Sequence, residues 1–247
     1  MTKVICVIPA RYASSRLPAK PLADVCGKPL IQRVYERALT AGTLSDILVA
    51  TDDDRILQAV NAFGGRAVMT SSDFQSGTDR IASAVRDIPA DIIVNLQGDE
   101  PLMHPDTIDA AVNALIDDTA SSISTPMIRI TGEKDYLAPS VVKVVTGLDG
   151  IALYFSRSPI PSKARVKERP EFGDYWGFKH LGLYVYRREA LMAFPGLKPT
   201  RLERLEQLEQ LRFLENGYRI RMVETVHDSI GIDTPSDLEE LCARISP

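Results

Sequence analysis

Val4-Ile5-Cys6-Val7-Ile8-Pro9-Ala10-Arg11-Tyr12-Ala13-Ser14-Ser15-Arg16-Leu17-Pro18-Ala19-Lys20-Pro21-Leu22 begins as an apolar run and breaks into a basic, hydroxyl-bearing loop. The run from Lys3 to Ile8 predicts a strand that is apolar on both faces, as a central strand of a parallel sheet must be. Working outward, short β-branched runs alternate with longer helical patterns, the rhythm of βαβ units. A helix is predicted from Pro29 to about Ala41, with Pro tolerated at its first position. The strand 46–51, the helix 53–63 ended by Gly64-Gly65, and the strand 67–69 follow. Next come a helix around 78–86, a strand at 91–97 and a helix opened by Pro105 toward Ile116.

Beyond about residue 120 the rhythm changes. Strands are predicted at 122–127, 141–145 and 181–186, with a polar Lys/Arg-rich loop, Ser162 to Gly173, between the last two. One long helix, about Thr200 to Asn216, precedes a strand at 219–226, and Asp233-Thr234-Pro235-Ser236-Asp237 starts a final helix. No repeat, low-complexity tract or evident linker divides the chain. The expected architecture is therefore one α/β domain over residues 1–247. Its first half, about 1–120, is a nucleotide-binding-type sheet, and its second half, about 121–247, adds a smaller lobe.

In an open α/β sheet, ligands bind beyond the carboxyl ends of the strands, which is where the first loop falls. It carries Arg11, Arg16 and Lys20 with the hydroxyls of Ser14 and Ser15, and no acid until Asp24. Guanidinium forks grip phosphate oxygens bidentately and a lysine acts as a point charge, so the cluster suits a polyphosphate better than a merely solvated loop. The loop lacks both the Walker pattern and the G-x-G-x-x-G dinucleotide fingerprint, so side chains rather than a glycine nest would hold the phosphates.

The strand 91–97 runs into Gly98-Asp99-Glu100-Pro101, and Ile230-Gly231-Ile232-Asp233-Thr234-Pro235 places a second acid at the end of an apolar stretch. Each has a simpler reading: a β-turn for Asp99, a helix N-cap for Asp233. Converging on one point, they would suit Mg²⁺, a hard cation bound by a few carboxylate oxygens plus substrate phosphates. Gln75-Ser76-Gly77-Thr78-Asp79-Arg80 reads as a loop and helix cap, or as hydroxyls reading a pyrimidine edge. His180 alone reads most simply as a hydrogen-bonded structural histidine, and Glu206, Glu209 and Gln210 as the solvated face of a helix. His104 and His227 belong to no interpretable motif.

Several of these segments resemble motifs of the CMP-sugar-acid synthetase family. They include Pro9-Ala10-Arg11-Tyr12, Ser15-Arg16-Leu17-Pro18 and Lys20-Pro21-Leu22 of the first loop, and Val94-Asn95-Leu96-Gln97-Gly98-Asp99-Glu100-Pro101. The closing Gly231-Ile232-Asp233-Thr234-Pro235-Ser236-Asp237-Leu238-Glu239 matches in turn. So do Ala152-Leu153-Tyr154-Phe155-Ser156-Arg157, His180-Leu181-Gly182-Leu183-Tyr184 and the leucine-rich segment from Leu202 to Arg212. The matches run in unbroken order from about Lys3 to Glu240.

The resemblance implies a Rossmann-like, mostly parallel sheet flanked by helices, of the nucleotide-diphospho-sugar transferase type. It implies CMP transfer from CTP to the anomeric hydroxyl of an acid sugar, with 3-deoxy-manno-octulosonate (Kdo) foremost, for lipopolysaccharide synthesis. An 8-amino analogue or sialic acid is an alternative, and a non-catalytic nucleotide-binding regulator is a third reading. Carried over, Asp99 and Asp233 hold Mg²⁺, while Arg11, Arg16 and Lys20 neutralise the triphosphate. Pro9, Ala10, Ser14, Ser15, Ser76, Thr78, Arg80 and Gln97 form the CTP pocket. Gln97, Arg157, His180, Tyr184, Glu209 and Gln210 hold the sugar, and the second half serves dimerisation. A cytoplasmic homodimer is implied.

Composition excludes other classes. Of 247 residues, 45% are hydrophobic and 25% charged, and the net charge of −4 leaves no basic footprint for nucleic acid. Apolar runs are strand-sized, far short of the roughly 18 residues a bilayer span requires, and the N-terminus lacks a signal-peptide h-region. Cys6, Cys26 and Cys242 are three and widely spaced, as in a reduced cytosolic protein.

Overall fold

The computed structural model describes residues 2–13, 17–74, 76–164 and 175–245. The first strand, β1 (Val4–Ala10), is followed by a small hairpin, β2 (Asp24–Val25) and β3 (Lys28–Pro29), and helix α1 (Leu30–Ala38). Then come β4 (Asp46–Thr51), α2 (Asp54–Ala62), β5 (Ala67–Met69), α3 (Gly77–Ala84), β6 (Ile92–Leu96) and α4 (Pro105–Asp117). The second half holds β7 (Ile123–Arg129), α5 (Glu133–Leu137), β8 (Lys143–Thr146), β9 (Ala152–Ser156), β10 (Phe178–His180) and β11 (Leu183–Arg187). It finishes with α6 (Arg188–Ala193), α7 (Arg201–Glu206), α8 (Gln210–Glu215), β12 (Ile220–Thr225) and α9 (Pro235–Ile245).

One sheet carries the order β5-β4-β1-β6-β11-β7-β10-β8-β9, with β12 also paired to β7. From β5 to β6 every pairing is parallel. Beyond β6 the pairings turn antiparallel, apart from the parallel β12–β7 pair. The sheet is thus mixed: a parallel nucleotide-type half that continues into an antiparallel lobe. Strand β1 is central because side chains of alternate parity find cover on opposite faces. Cys6 and Ile8 pack with Ile31 and Val34 of α1 and Ile108 and Val112 of α4. Ile5 and Val7 pack with Ile81 and Ala82 of α3. All five residues from Val4 to Ile8 are no more than 2% exposed, and burial of that kind contributes roughly 25 cal/mol per Å² of apolar surface.

The long helix expected over Thr200 to Asn216 is two helices, α7 and α8. Gln207 breaks it in the left-handed region, at φ 54°. The reason is tertiary. The Glu206 carboxylate accepts hydrogen bonds from Ser156 Oγ (2.7 Å), Tyr154 Oη (3.2 Å) and the Arg157 backbone N–H (2.9 Å). That anchors the end of α7 to β9 and turns Leu208 inward while Leu205 stays 70% exposed. Strands β9 and β10 and helices α5 and α6 are additions that the sequence pattern did not predict. Among the described residues no helix is long and apolar enough to cross a membrane.

Candidate active site

Three backbone segments meet beyond the carboxyl ends of β1 and β6. Gly98 lets the turn after β6 run against β1: a Cβ there would lie 2.8 Å from the Pro9 carbonyl oxygen, a distance that no side-chain carbon tolerates. The Ile232 N–H then donates to the Asp99 carbonyl at 2.9 Å, docking the distant 230–233 segment onto the same turn. Asp99 and Asp233 are thereby brought together across 134 positions of sequence.

Lys20 shows how closely they converge. Its Nζ lies 2.5 Å from Asp99 Oδ2 and 3.0 Å from Asp233 Oδ1. Burial alone would lower the lysine pKa, but the two carboxylates together outweigh it and raise it. Asp233 is not the cap of α9. Thr234 and Asp237 cap that helix reciprocally: the Thr234 N–H donates to Asp237 Oδ2 (2.7 Å) and the Asp237 N–H to Thr234 Oγ1 (3.3 Å). The Asp233 carboxylate is left to face Lys20. Two carboxylates already sharing one cation form the all-oxygen donor set that fits Mg²⁺.

Two cavities open on either side of this trio. The smaller, about 350 Å³, is lined by Pro9, Ala10, Arg11, Lys20 and the Asp99 turn. Arg11 Nη2 donates to the Phe74 carbonyl at 2.5 Å, which holds the guanidinium at its rim. The larger, about 720 Å³, includes Thr78, His180, Tyr184, Glu209 and Gln210 in its walls. Gln97, Asp99 and Asp233 line both. The break at Gln207 is what brings Leu208, Glu209 and Gln210 to the larger cavity.

The larger cavity has an acidic side: among the described residues, Asp99, Glu100, Glu209, Asp233 and Asp237 line it with a single lysine, Lys179. Burial pushes the His180 imidazole down to about 3, so it is neutral at physiological pH. The Thr125 hydroxyl donates to the Leu183 carbonyl (2.6 Å) and lies 2.8 Å from His180 Nε2. With its proton committed, Thr125 accepts from Nε2–H, which leaves Nδ1 as an acceptor. Burial raises the Glu209 carboxyl against the bond it accepts from Thr78 Oγ1 at 2.7 Å. Gln210 Nε2 is buried with no hydrogen-bond partner among the described residues, a donor that a bound hydroxyl or carboxylate would satisfy.

The structure does not bring every expected residue to these walls. Arg80 is fully buried: Nη2 lies 2.6 Å from Asp52 Oδ2 and Nη1 donates to Thr70 Oγ1 at 2.5 Å. It braces the loops after β4 and β5 instead of facing nucleotide. Ser76 is the cap of α3, accepting the Asp79 N–H at 3.0 Å. Arg157 is turned to the carbonyls of Glu206 (2.9 Å), Pro139 (3.2 Å) and Gln207 (3.4 Å), so its guanidinium supports the helix break. Ser14, Ser15 and Arg16 lie outside the described residues, as does most of the loop from Ser162 to Gly173.

Sequence reasoning missed Glu100, Lys179 and Ser229. Glu100 lines the larger cavity beside Asp99, and burial lifts its carboxyl to about 7 despite the hydrogen bond from Ser229 Oγ. It sits so close to Gly182 that a Cβ there would be 2.9 Å from Glu100 Oε1. Lys179 Nζ reaches Asp228 Oδ1 (2.7 Å) and the Ser229 carbonyl (3.1 Å). Glu100 stood inside a quoted motif and Lys179 immediately before one. Ser229 carried no signal.

Comparison with known proteins places the chain in a family. The family profile described as cytidylyltransferase matches residues 5–221. A 3-deoxy-manno-octulosonate cytidylyltransferase of Geobacter metallireducens is 51% identical, covering 99% of this chain and 98% of the relative. One from Geobacter sulfurreducens is 52% identical over 98% and 99% of the respective chains. A solved structure, CMP:2-keto-3-deoxy-manno-octonic acid synthetase complexed with CTP, superposes with a TM-score of 0.92 at 45% identity, covering 99% of this chain and 98% of that one. The chain belongs to the 3-deoxy-manno-octulosonate cytidylyltransferase family.

Proposed function

We propose that this chain transfers CMP from CTP to the anomeric hydroxyl of Kdo, giving CMP-Kdo and pyrophosphate, and so supplies activated sugar for lipopolysaccharide. Family membership supports the reaction. The observation that carries its layout is the pair of adjoining cavities that share Gln97, Asp99 and Asp233. A nucleotide's phosphates in the cavity that holds Arg11 and Lys20 and a sugar in the larger one would meet at those three residues.

The anomeric hydroxyl attacks the α-phosphorus in line, and pyrophosphate departs opposite. Such transfers depend on positioning and charge neutralisation more than on covalent help from the protein. Asp99 and Asp233 are the residues that would hold Mg²⁺, which when bound supplies charge neutralisation at phosphate oxygens. Lys20 and Arg11 stabilise the negative charge of the triphosphate and of the departing pyrophosphate. Glu209, the orphaned Gln210 amide, His180 and Tyr184 orient the sugar by hydrogen bonds. Because His180 is neutral and its Nε2–H is committed to Thr125, it serves as an acceptor through Nδ1 rather than as a countercharge to the sugar carboxylate. A homodimer belongs to the same reading, and the exposed Leu205 and Leu153 (70% and 64%) are apolar side chains available to a second copy.

The test is pyrophosphate release with Mg²⁺ and CTP against a panel of acid sugars: Kdo, its 8-amino analogue and sialic acid, with ATP, GTP and UTP as controls. Turnover should be fastest with Kdo and CTP. Preference for another sugar would reassign the substrate, and CTP binding without turnover on any sugar would favour the regulator reading.

A further inference from the structure

Away from both cavities, two histidines without an interpretable motif stand face to face. The rings of His104 and His227 are stacked with centroids 3.6 Å apart and planes within 9°. His104 precedes α4 and its Nδ1 accepts the Asp106 N–H at 3.2 Å. His227 follows β12 and donates its backbone N–H to Thr225 Oγ1 at 3.2 Å, and Thr225 in turn meets Thr107 across a 2.8 Å hydroxyl pair. Asp106 Oδ2 completes the group, 3.6 Å from His104 Nδ1 and 3.8 Å from His227 Nε2. One donor atom from each of the three residues lies within 4.8 Å of the others.

We propose that His104, Asp106 and His227 form a surface site for a late first-row divalent cation of the Zn²⁺ kind, separate from the Asp99–Asp233 pair. Tetrahedral Zn²⁺ with ligands at about 2.1 Å places neighbouring donors about 3.4 Å apart. The separations from Asp106 Oδ2 to the two imidazoles, 3.6 and 3.8 Å, are within a few tenths of an ångström of that spacing, and the two ring nitrogens lie within 4.8 Å of each other. Because the rings stack with parallel planes and each lone pair lies in its own ring plane, binding turns the half-exposed His227 ring out of the stack to meet the ion held by His104 and Asp106, and water fills the remaining position. The donor set also separates the two sites chemically. Imidazole nitrogens suit Zn²⁺, Ni²⁺ and Cu²⁺, whereas the carboxylate pair beside the substrate cavities suits Mg²⁺. The site is reachable, since the side chains of His104, His227 and Asp106 are 29%, 37% and 74% exposed. The amino end of α4 opposes a cation, but by a screened and small amount that the Asp106 charge offsets. Ligation would release the Asp106 N–H to water at an exposed helix end.

The placement has a consequence. His104 lies just after the Asp99 turn and His227 just before the 228–233 segment, so a shared ion would clamp together the two segments that carry the catalytic carboxylates. The experiment is calorimetric titration of ZnCl₂ alone into the full-length protein in excess MgCl₂. One saturable Zn²⁺ site is expected. Its affinity should fall at least about tenfold in His227→Ala and in Asp106→Asn, since even outer partners of metal ligands are worth that much. Circular dichroism on each variant checks the fold. Cys26→Ser/Cys242→Ser should bind as the parent does. Absence of saturable binding, equal affinity in His227→Ala, or loss of binding in the cysteine variant would each overturn the assignment.

Discussion

Lys20 and Arg80 are both cations set against an aspartate just past the parallel strands, yet they sit in opposite environments. The Lys20 side chain is 15% exposed, between carboxylates that are 30% and 41% exposed, and all three line a cavity. Arg80 is fully buried against Asp52, which is 16% exposed, and lines neither cavity. The same residue types thus build a site whose charges can be re-partnered by a substrate and a brace whose charges cannot. Solvent access is what separates them: a part-exposed ion pair exchanges partners at small cost, whereas a buried charge loses its partner only at several kcal/mol.

The largest effect expected from this contrast is on turnover. Asp99→Asn should lower kcat by about 10³-fold, because in the proposed function several kcal/mol of phosphate charge stabilisation would depend on that carboxylate. Its stability should change by less than about 1 kcal/mol, as for an exposed pair. Steady-state kinetics with urea denaturation checks both, and near-normal turnover would remove Asp99 from the centre.

Arg80→Met should behave in the opposite way. It should lose about 3 kcal/mol of stability in urea denaturation, since the change strands Asp52 without its partner. The KM for CTP, measured at a temperature where the variant is folded, should stay within about twofold. A raised KM with unchanged stability would return Arg80 to the nucleotide pocket.

The smallest effect concerns His180, which extends the contrast to a buried group held neutral. Unfolded, a histidine protonates near pH 6.5; folded, His180 does so only near 3. The unfolded state therefore binds more protons between those values. The stability from this site is fully present above about pH 6.5 and declines as pH falls toward 3. Between pH 7.5 and 5 the parent should lose about 2 kcal/mol more than His180→Gln does. Equal losses would mean that His180 is protonated in the fold.

The first loop, the Asp99 turn and the Asp233 segment, which the structure brings together at Lys20, were legible in the sequence because each is a local pattern: a strand end followed by special backbone chemistry. Arg80 and Arg157 were misplaced because a motif names a residue, not the direction of its side chain. Which carbonyls and carboxylates face those guanidinium groups depends on segments 18 to 50 residues away in sequence. The broken helix at Gln207 escaped for a similar reason. Its leucine spacing is that of a continuous helix, while the break is fixed by Glu206 contacts with β9.

By itself, then, the sequence determined the α/β rhythm, the central β1 strand, the family and the residues that meet at Asp99. All of these rest on short-range periodicity or on contiguous motifs. Tertiary structure decided that β11 inserts beside β6 and turns the sheet antiparallel, that Ile232 docks onto Asp99, and that Glu100 is buried against Ser229. It also decided that His104 meets His227. Those outcomes depend on which distant segments share a neighbour and how much water remains between them, and neither quantity is written in local residue order.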